Sequence, residues 1–520
     1  MKTAYINATL LNKHHDAFIV EDERFMMVGR KAKILNQTVD QIIDLNHDYI
    51  LPGFNDSHMH LLGIGKSMHM EDVAKFRSID EIVAHLKPIK KPFILGRGFH
   101  ESNVREMRPL TKDDLDQVSQ EIPIIIYRVC GHMVMANSKA IEQAIALHGK
   151  KDSISEGYDL EQGIFKEDAI HYVLDILPPV SKKQIKEEIL MAQEYLIASG
   201  ITAIGSDDFS MYKIDYETIL EAFKELDASG ALKLSVLEQV NLPSIDTFKD
   251  YLQKGYANQK GRRFDLGPLK LLADGSLGAN SAYVSEAYKD YDTLGISVFS
   301  EAKLMEYFKL CHAHEMDFAI HAIGDQCVED ILTALENVSD ETLRNKRRHS
   351  IIHAQLARLD QIAKMKALNV GAQTQPIFIN SDFAILEKKL GKARMQNSYL
   401  FNTMYQSGIL TTISTDAPVE DVNPFENLYV ATTRKSIKNP ELGVFNKGEC
   451  FTVEDAVDAY TYQGARLMYK ENELGKIDSG YFADFIRVKG FDPDNSNSFL
   501  DSVVLETFIH GETVYKKERD

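Results

Sequence analysis

Apolar and polar positions change their rhythm twice along this chain. Up to about residue 51 the apolar residues come in short runs broken by turn residues: Ala4 to Leu11, Ala17 to Val20, Arg24 to Val28, then Gly29 and, just before Pro52, Tyr49-Ile50-Leu51. Runs of that length bounded by turn formers predict strands. The same texture returns at the far end, where Asp484 to Val488 and Leu505 to Ile509 read as strands and His510-Gly511-Glu512 as a hairpin-like turn. Two strand-rich ends predict one small β-sandwich domain assembled from residues 1–51 and 470–520.

Between them helix and strand alternate. Ser181 is placed to cap a helix whose Ile185, Ile189, Ala192 and Leu196 share one face, with Gln184 at the capping-box position and Gly200 at the stop. Ile201 to Ile204 follows as a strand. Further apolar strands are predicted at Leu269 to Leu272, Phe318 to Ile320, Ser350 to Ile352, Gly371 to Gln373 and Ile409 to Ser414. Repeated βα units imply a parallel sheet, and about eight of them a closed barrel. The expected fold is α/β, a distorted (β/α)8 TIM barrel over residues 52–469 carrying the small terminal β-sandwich. Residues near 65–170 exceed what one βα unit needs, which predicts an insertion there.

Composition changes this picture little. At 520 residues, 44% apolar and 26% charged, the chain is an ordinary globular protein with room for a large domain and a smaller one. The net charge of −18 argues against nucleic acid and anionic membranes as partners, since both need a basic face. Cys130, Cys311, Cys327 and Cys450 lie far apart and form no Cys-x-x-Cys pair, which fits a reduced, cytoplasmic protein. The first residues turn polar too early for a signal peptide, and no apolar run approaches a membrane span.

The chemistry begins at Pro52-Gly53-Phe54-Asn55-Asp56-Ser57-His58-Met59-His60. Residues two apart on a strand point the same way, so His58 and His60 present two imidazoles together after the strand read at Tyr49 to Leu51. Four more candidates sit on or just after apolar strands, where barrel chemistry is found: Lys270, His321, His353 and Asp416. Other polar residues are set aside. His312 and His314 lie on a predicted helix, Glu301 to Glu315, where residues two apart face away from each other. His349 is expected to pack away from the site, and Lys87 to Pro92 to be a solvated loop. Glu167 fits a solvated helix carboxylate and a pocket residue equally well.

With these motifs together the chain resembles the metal-dependent amidohydrolase superfamily, in the branch of YtcJ-like proteins and N-substituted formamide deformylases. The matching segments are PGFNDSHMH, GHMVMANS from Gly131, KLLADGSLG from Lys270, HAIGD from His321, HAQ from His353, STDAPV from Ser414 and LGKIDSGYFADF from Leu474. The resemblance implies His58, His60, His321, His353 and Asp416 as metal-site residues, with Lys270 carboxylated as a bridging ligand. It implies one or two divalent ions, zinc above all on this donor set. Asp416 is then also the catalytic proton shuttle, and His132 faces the substrate. The implied activity is metal-assisted hydrolysis of a non-peptide C–N bond, amide or formamide in type, in a small molecule. The alternatives are a deaminase or esterase-like hydrolase on the same scaffold, or a metal-free interaction scaffold. Four positions depart from the branch: Ile352 stands where glutamate is usual, Phe99 for tryptophan, and Asn280-Ser281 for Arg-Thr. They leave the substrate open, as the sequence does the oligomeric state, with a homo-oligomer among the alternatives.

Overall fold

The computed structural model describes residues 1–11, 13–129, 133–150, 157–166, 169–242, 244–338 and 346–518. The chain forms two compact units, Met1–Gly63 with Ile189–Asp520, and Ile64–Glu188.

In the first unit eight parallel strands follow one another in chain order: Phe54–Met59, Ile201–Ser206, Ser235–Asn241, Phe264–Leu272, Phe318–Ala322, Ser350–His353, Gly371–Thr374 and Thr411–Ile413. They are called the first to eighth barrel strands below. The ring is drawn shut by hydrogen bonds between its ends, Asp416 N to His58 O at 3.0 Å and His60 N to Ala417 O at 2.8 Å, with Ser57 Oγ 2.7 Å from Thr412 Oγ1. Register shifts between the first and second strands, and again between the third and fourth, make this a distorted (β/α)8 barrel.

Local sequence explains the helices around it. Asp215 accepts from Glu217 N at the start of Tyr216–Ser229, and Gly230, at φ 74°, ends that helix in the left-handed region. Its buried stripe, Ile219, Leu220, Phe223 and Leu226, faces the sheet, and Phe223 stacks on Phe264 at 4.6 Å. Ser181 caps the helix Lys182–Ala198 as expected, its hydroxyl accepting from Gln184 N at 3.2 Å. The Gln184 amide donates to Glu188 Oε1 at 2.9 Å, one turn further along the helix.

The two ends of the chain build a pair of four-stranded sheets. One is N-terminal throughout; the other joins Phe485–Lys489, Val503–Ile509 and Glu512–Lys516 to Tyr49–Pro52. Aromatic rings fill the space between them: Tyr5 and Phe18 of the first sheet pack on Phe485 of the second at 5.5 and 5.1 Å. This is the small β-sandwich. It corrects one reading, since Tyr49–Pro52 is a sandwich strand paired with Phe485–Lys489, and the strand that carries His58 is the next one, Phe54–Met59. Gly53 separates them because a Cβ there would come within 2.3 Å of the Thr202 side chain.

The second unit is an α/β body of its own. Its six strands include Ile94–Phe99, Ile124–Arg128 and Met133–Ala136 as central members. Leu86, Ile94, Leu110, Leu115, Ile126 and Met135 form its main core. Among the described residues no helix of the protein is long and apolar enough to cross a membrane.

Candidate metal centre

The carboxyl ends of the barrel strands converge on one polar cluster. His58 is on the first strand and His60 just beyond it, both with Nε2 toward Asp416, which follows the eighth. Asp416 Oδ1 lies 3.4 Å from His58 Nε2 and 3.2 Å from His60 Nε2, and one ligand atom from each residue falls within 4.8 Å of the others. The His58 and His353 rings are 5.9 Å apart, and His353 Nε2 is 3.0 Å from His321 Nδ1. His353 and Asp416 sit at φ 77° and 58°, a region that non-glycine residues enter at a cost, which the surrounding packing holds in place.

The hydrogen bonds on the far side of each ring decide where its proton lies. Gln239 Nε2 donates to the Ser57 carbonyl at 2.9 Å, so Gln239 Oε1 must be the atom 2.7 Å from His58 Nδ1, and that nitrogen carries the hydrogen. Gln375 does the same for His353: its amide donates to Gln373 O and Ser414 Oγ, leaving Oε1 to accept from His353 Nδ1 at 2.8 Å. His60 Nδ1 donates to the Asp207 carbonyl at 2.8 Å. His321 Nε2 faces two acceptors, Gly275 O at 3.1 Å and Asp274 Oδ1 at 3.3 Å, so its hydrogen is on Nε2.

In the neutral rings the lone pairs are therefore on His58 Nε2, His60 Nε2, His321 Nδ1 and His353 Nε2, all turned inward. Two of them, on His321 and His353, face each other across 3.0 Å, which is repulsive unless a proton or a cation lies between the rings. Four imidazole lone pairs and a carboxylate, each oriented from behind by a fixed acceptor, are a donor set that fits a borderline divalent ion such as zinc.

Lys270, on the fourth strand, is 2% exposed, and its Nζ lies 2.9 Å from Asp207 Oδ2, a buried ion pair. Asn241 Nδ2 also donates to that oxygen at 3.2 Å, while Asp207 Oδ1 is buried and has no hydrogen-bond partner among the described residues. The amine thus meets a carboxylate that stabilises its charged form, whereas capture of carbon dioxide needs the neutral amine. An anionic carbamate beside Asp207 would need a cation to hold the two together.

The electrostatics divide the histidines. Burial, with help from the Lys270 charge, pulls His58 down to about 4. Burial and His321 hold His353 well below the usual imidazole range. Burial would also lower His60, but the Asp416 hydrogen bond and charge, with Asp207 behind, push it up to about 9. Burial works to raise the Asp416 carboxyl, yet the close approach of His58 and of the protonated His60 keeps it well below the ordinary carboxylate range. Asp416 is therefore ionised at neutral pH.

All six residues read from the sequence as metal-site candidates stand at one end of the barrel. His132 lies outside the described residues, and so does Glu167. His349 packs away as expected, stacked at 3.9 Å on Phe318, whose amide it accepts. The departures from the branch pattern have local employment: Ile352 and Phe99 are buried apolar residues, Asn280 Oδ1 accepts from Lys389 Nζ, and Ser281 Oγ accepts from Ser276 N. Sequence reasoning missed Asp207, Gln239, Gln373 and Gln375. Their only signal was polarity inside strands otherwise buried, as in Val236-Leu237-Glu238-Gln239-Val240.

Comparison with known proteins agrees with this geometry. The model of the amidohydrolase family matches residues 41–515. YtcJ of Bacillus subtilis is 30% identical over 488 residues, 91% of this chain and 90% of that protein. The N-substituted formamide deformylase of Arthrobacter pascens is 22% identical over 546 residues, 97% of this chain and 96% of its own length. Among solved structures, an uncharacterized metal-dependent hydrolase from Pyrococcus furiosus superposes with a TM-score of 0.80 at 29% identity, covering 95% of this chain and 100% of that one. The chain belongs to the amidohydrolase family and is a hydrolase.

Proposed function

We propose that this member of the amidohydrolase family is a metal-dependent hydrolase of a non-peptide C–N bond, amide or formamide in type, in a small-molecule substrate. The observation that carries the reading is the inward turn of four imidazoles, each held by an acceptor behind its ring, with His58 and His60 Nε2 directed at Asp416. The C–N specificity is supported by likeness to a protein described as an N-substituted formamide deformylase, which spans nearly the whole chain.

His58, His60 and Asp416 would hold one divalent ion, zinc by its donor preferences, and His321 with His353 a second. When bound, the ion supplies a water acidified toward neutrality and a Lewis acid for the substrate carbonyl. The chain's own residues do the rest. Asp416, ionised because His58 and His60 hold it so, accepts the proton of the attacking water. It then delivers that proton to the leaving nitrogen as the C–N bond breaks, so that an amine and a carboxylate (formate, for an N-formyl amine) depart. Gln239 and Gln375 keep His58 and His353 in the tautomers that leave Nε2 free. His132 is assigned to the substrate carbonyl. Carboxylated Lys270 would supply an anionic ligand to the metals, and it would have to release Asp207 to do so.

The test is hydrolysis of a panel of N-formyl and N-acyl amines by protein reconstituted with zinc, manganese, iron or nickel. Amine release that disappears with a chelator and returns with metal is expected. Release of ammonia from aminated heterocycles with no amide cleavage would replace this reading by a deaminase, and metal-free protein as purified, inert after reconstitution, by a scaffold.

A further inference from the structure

A basic cavity lies at the other end of the barrel. A cavity of about 400 Å³ opens where the third and fourth strands begin, lined among others by Ser235, Arg262, Arg263, Lys470, Phe482 and His510. Lys270 is six residues further along the fourth strand than Phe264, about 20 Å at strand rise, so this cavity is remote from the candidate metal centre.

Its lining carries Lys260, Arg262, Arg263 and Lys470 against Glu23, Asp265 and Glu473. Lys260 and Lys470 share one carboxylate, Asp265, at 3.3 and 3.0 Å. Glu473 is 3.6 Å from Arg24, and Glu23 accepts from His510 Nδ1 at 3.1 Å. Arg262 and Arg263 remain. Among the described residues neither has a carboxylate within ion-pair distance of its guanidinium. Asp227, beside them, is occupied by their main-chain amides, at 2.9 Å each. Arg263 is only 6% exposed, yet among the described residues its guanidinium makes a single long hydrogen bond, 3.5 Å to Ser235 Oγ. Asp484, Glu23 and Asp227, whose charges Arg263 feels, all lie beyond ion-pair distance of its guanidinium.

The open donors of this guanidinium line the cavity, where an acceptor can meet them. Arg262, from the adjacent residue, brings a second guanidinium to the same lining. His510 reports the same field. Burial, then Arg263, Arg24, Arg262 and Lys470, pull it down to about 3, so it stays neutral, stacked at 3.7 Å on Phe482. Two unpaired forks match a dianion better than a monoanion, and the cavity is larger than a bare inorganic anion fills.

We propose that this cavity, at the amino-terminal face of the barrel, binds the phosphate group of a small molecule between Arg262 and Arg263. Guanidinium forks meet phosphate oxygens in paired hydrogen bonds, the geometry arginine favours. Residues at this face of a barrel govern stability rather than catalysis, so the ligand acts as an effector that stabilises the fold.

The experiment is isothermal titration of the metal-loaded enzyme with inorganic phosphate, against chloride at matched ionic strength, with thermal unfolding followed in parallel. Saturable binding that raises the unfolding temperature is expected. Arg262→Ala, an exposed change that spares the core, should weaken it about tenfold or more, the scale of a lost charge-assisted bond. Arg263→Lys, which keeps the charge and loses the fork, should weaken it too. His58→Ala, at the metal centre, should leave it unchanged. Absence of saturable binding overturns the proposal, as does binding indifferent to both arginine changes. Binding that falls with His58→Ala and not with Arg262→Ala also overturns it, by placing the anion at the metal centre.

Discussion

Gln239→Leu should loosen the metal centre without touching a ligand. In the folded protein the Gln239 amide is 2.7 Å from His58 Nδ1 and donates at 2.9 Å to both Ser57 O and Gln373 Oε1. Leucine fills a similar volume but satisfies none of the three. The cost has two parts. Leaving buried polar groups unpaired costs about 1–3 kcal/mol each, so the apo-protein should lose about 3 kcal/mol or more, tempered by rotation of Gln373. Separately, His58 loses the acceptor that fixes its tautomer. Removing such a support typically weakens metal affinity 10–100-fold, about 1.4–2.8 kcal/mol. Competition with a calibrated chelator measures the second part, and denaturant unfolding of metal-free protein the first. A variant with lower apo stability and wild-type metal affinity would refute the tautomer argument and leave Gln239 a packing residue.

Three further changes probe different parts of the structure. Asp416→Asn is nearly isosteric and still offers an oxygen to the metal but accepts no proton at neutral pH, so kcat should fall about 10²–10⁴-fold with metal content retained; undiminished kcat at full metal would move the proton shuttle elsewhere. Asp207→Asn strands the buried Lys270 ammonium, and the metal-free protein should lose about 3–5 kcal/mol by denaturant unfolding; adding metal and bicarbonate should shrink that loss if Lys270 becomes a carbamate. His510 binds a proton in the unfolded chain below about 6.5 but in the folded chain only below about 3, so its contribution makes stability fall as pH drops through that window. His510→Phe keeps the ring stack on Phe482 and removes the titration, which should recover roughly 2 kcal/mol at pH 5 relative to pH 7; an unchanged pH slope would show that His510 is not neutral in the fold.

Periodicity and motif carried far in this chain, and where they stopped is physical. The alternation of helix and strand, the capped helix after Ser181, the strand-rich ends and the strand-end positions of His58, His60, Lys270, His321, His353 and Asp416 are all local patterns. A local pattern needs only neighbours in sequence to be legible, and nearly all of it stands in the fold. The strand before Pro52 shows the limit. Tyr49–Pro52 and Phe54–Met59 are both short and apolar, and only the close approach of Gly53 to Thr202 assigns one to the sandwich and the other to the barrel.

The centre's second layer was illegible for the same reason. Asp207 reaches Lys270 across 63 positions and Gln239 reaches His58 across 181, so nothing in either local sequence announces the partner. Which ring nitrogen carries the proton, whether Lys270 meets a carboxylate or carbon dioxide, and which arginines remain unpaired at the far end of the barrel are questions of distance and burial. Residue type and spacing determined what chemistry the chain can bring to its centre. Closure of the barrel decided the rest, because it alone brings the eighth strand back to the first and sets the charge, tautomer and company of each group.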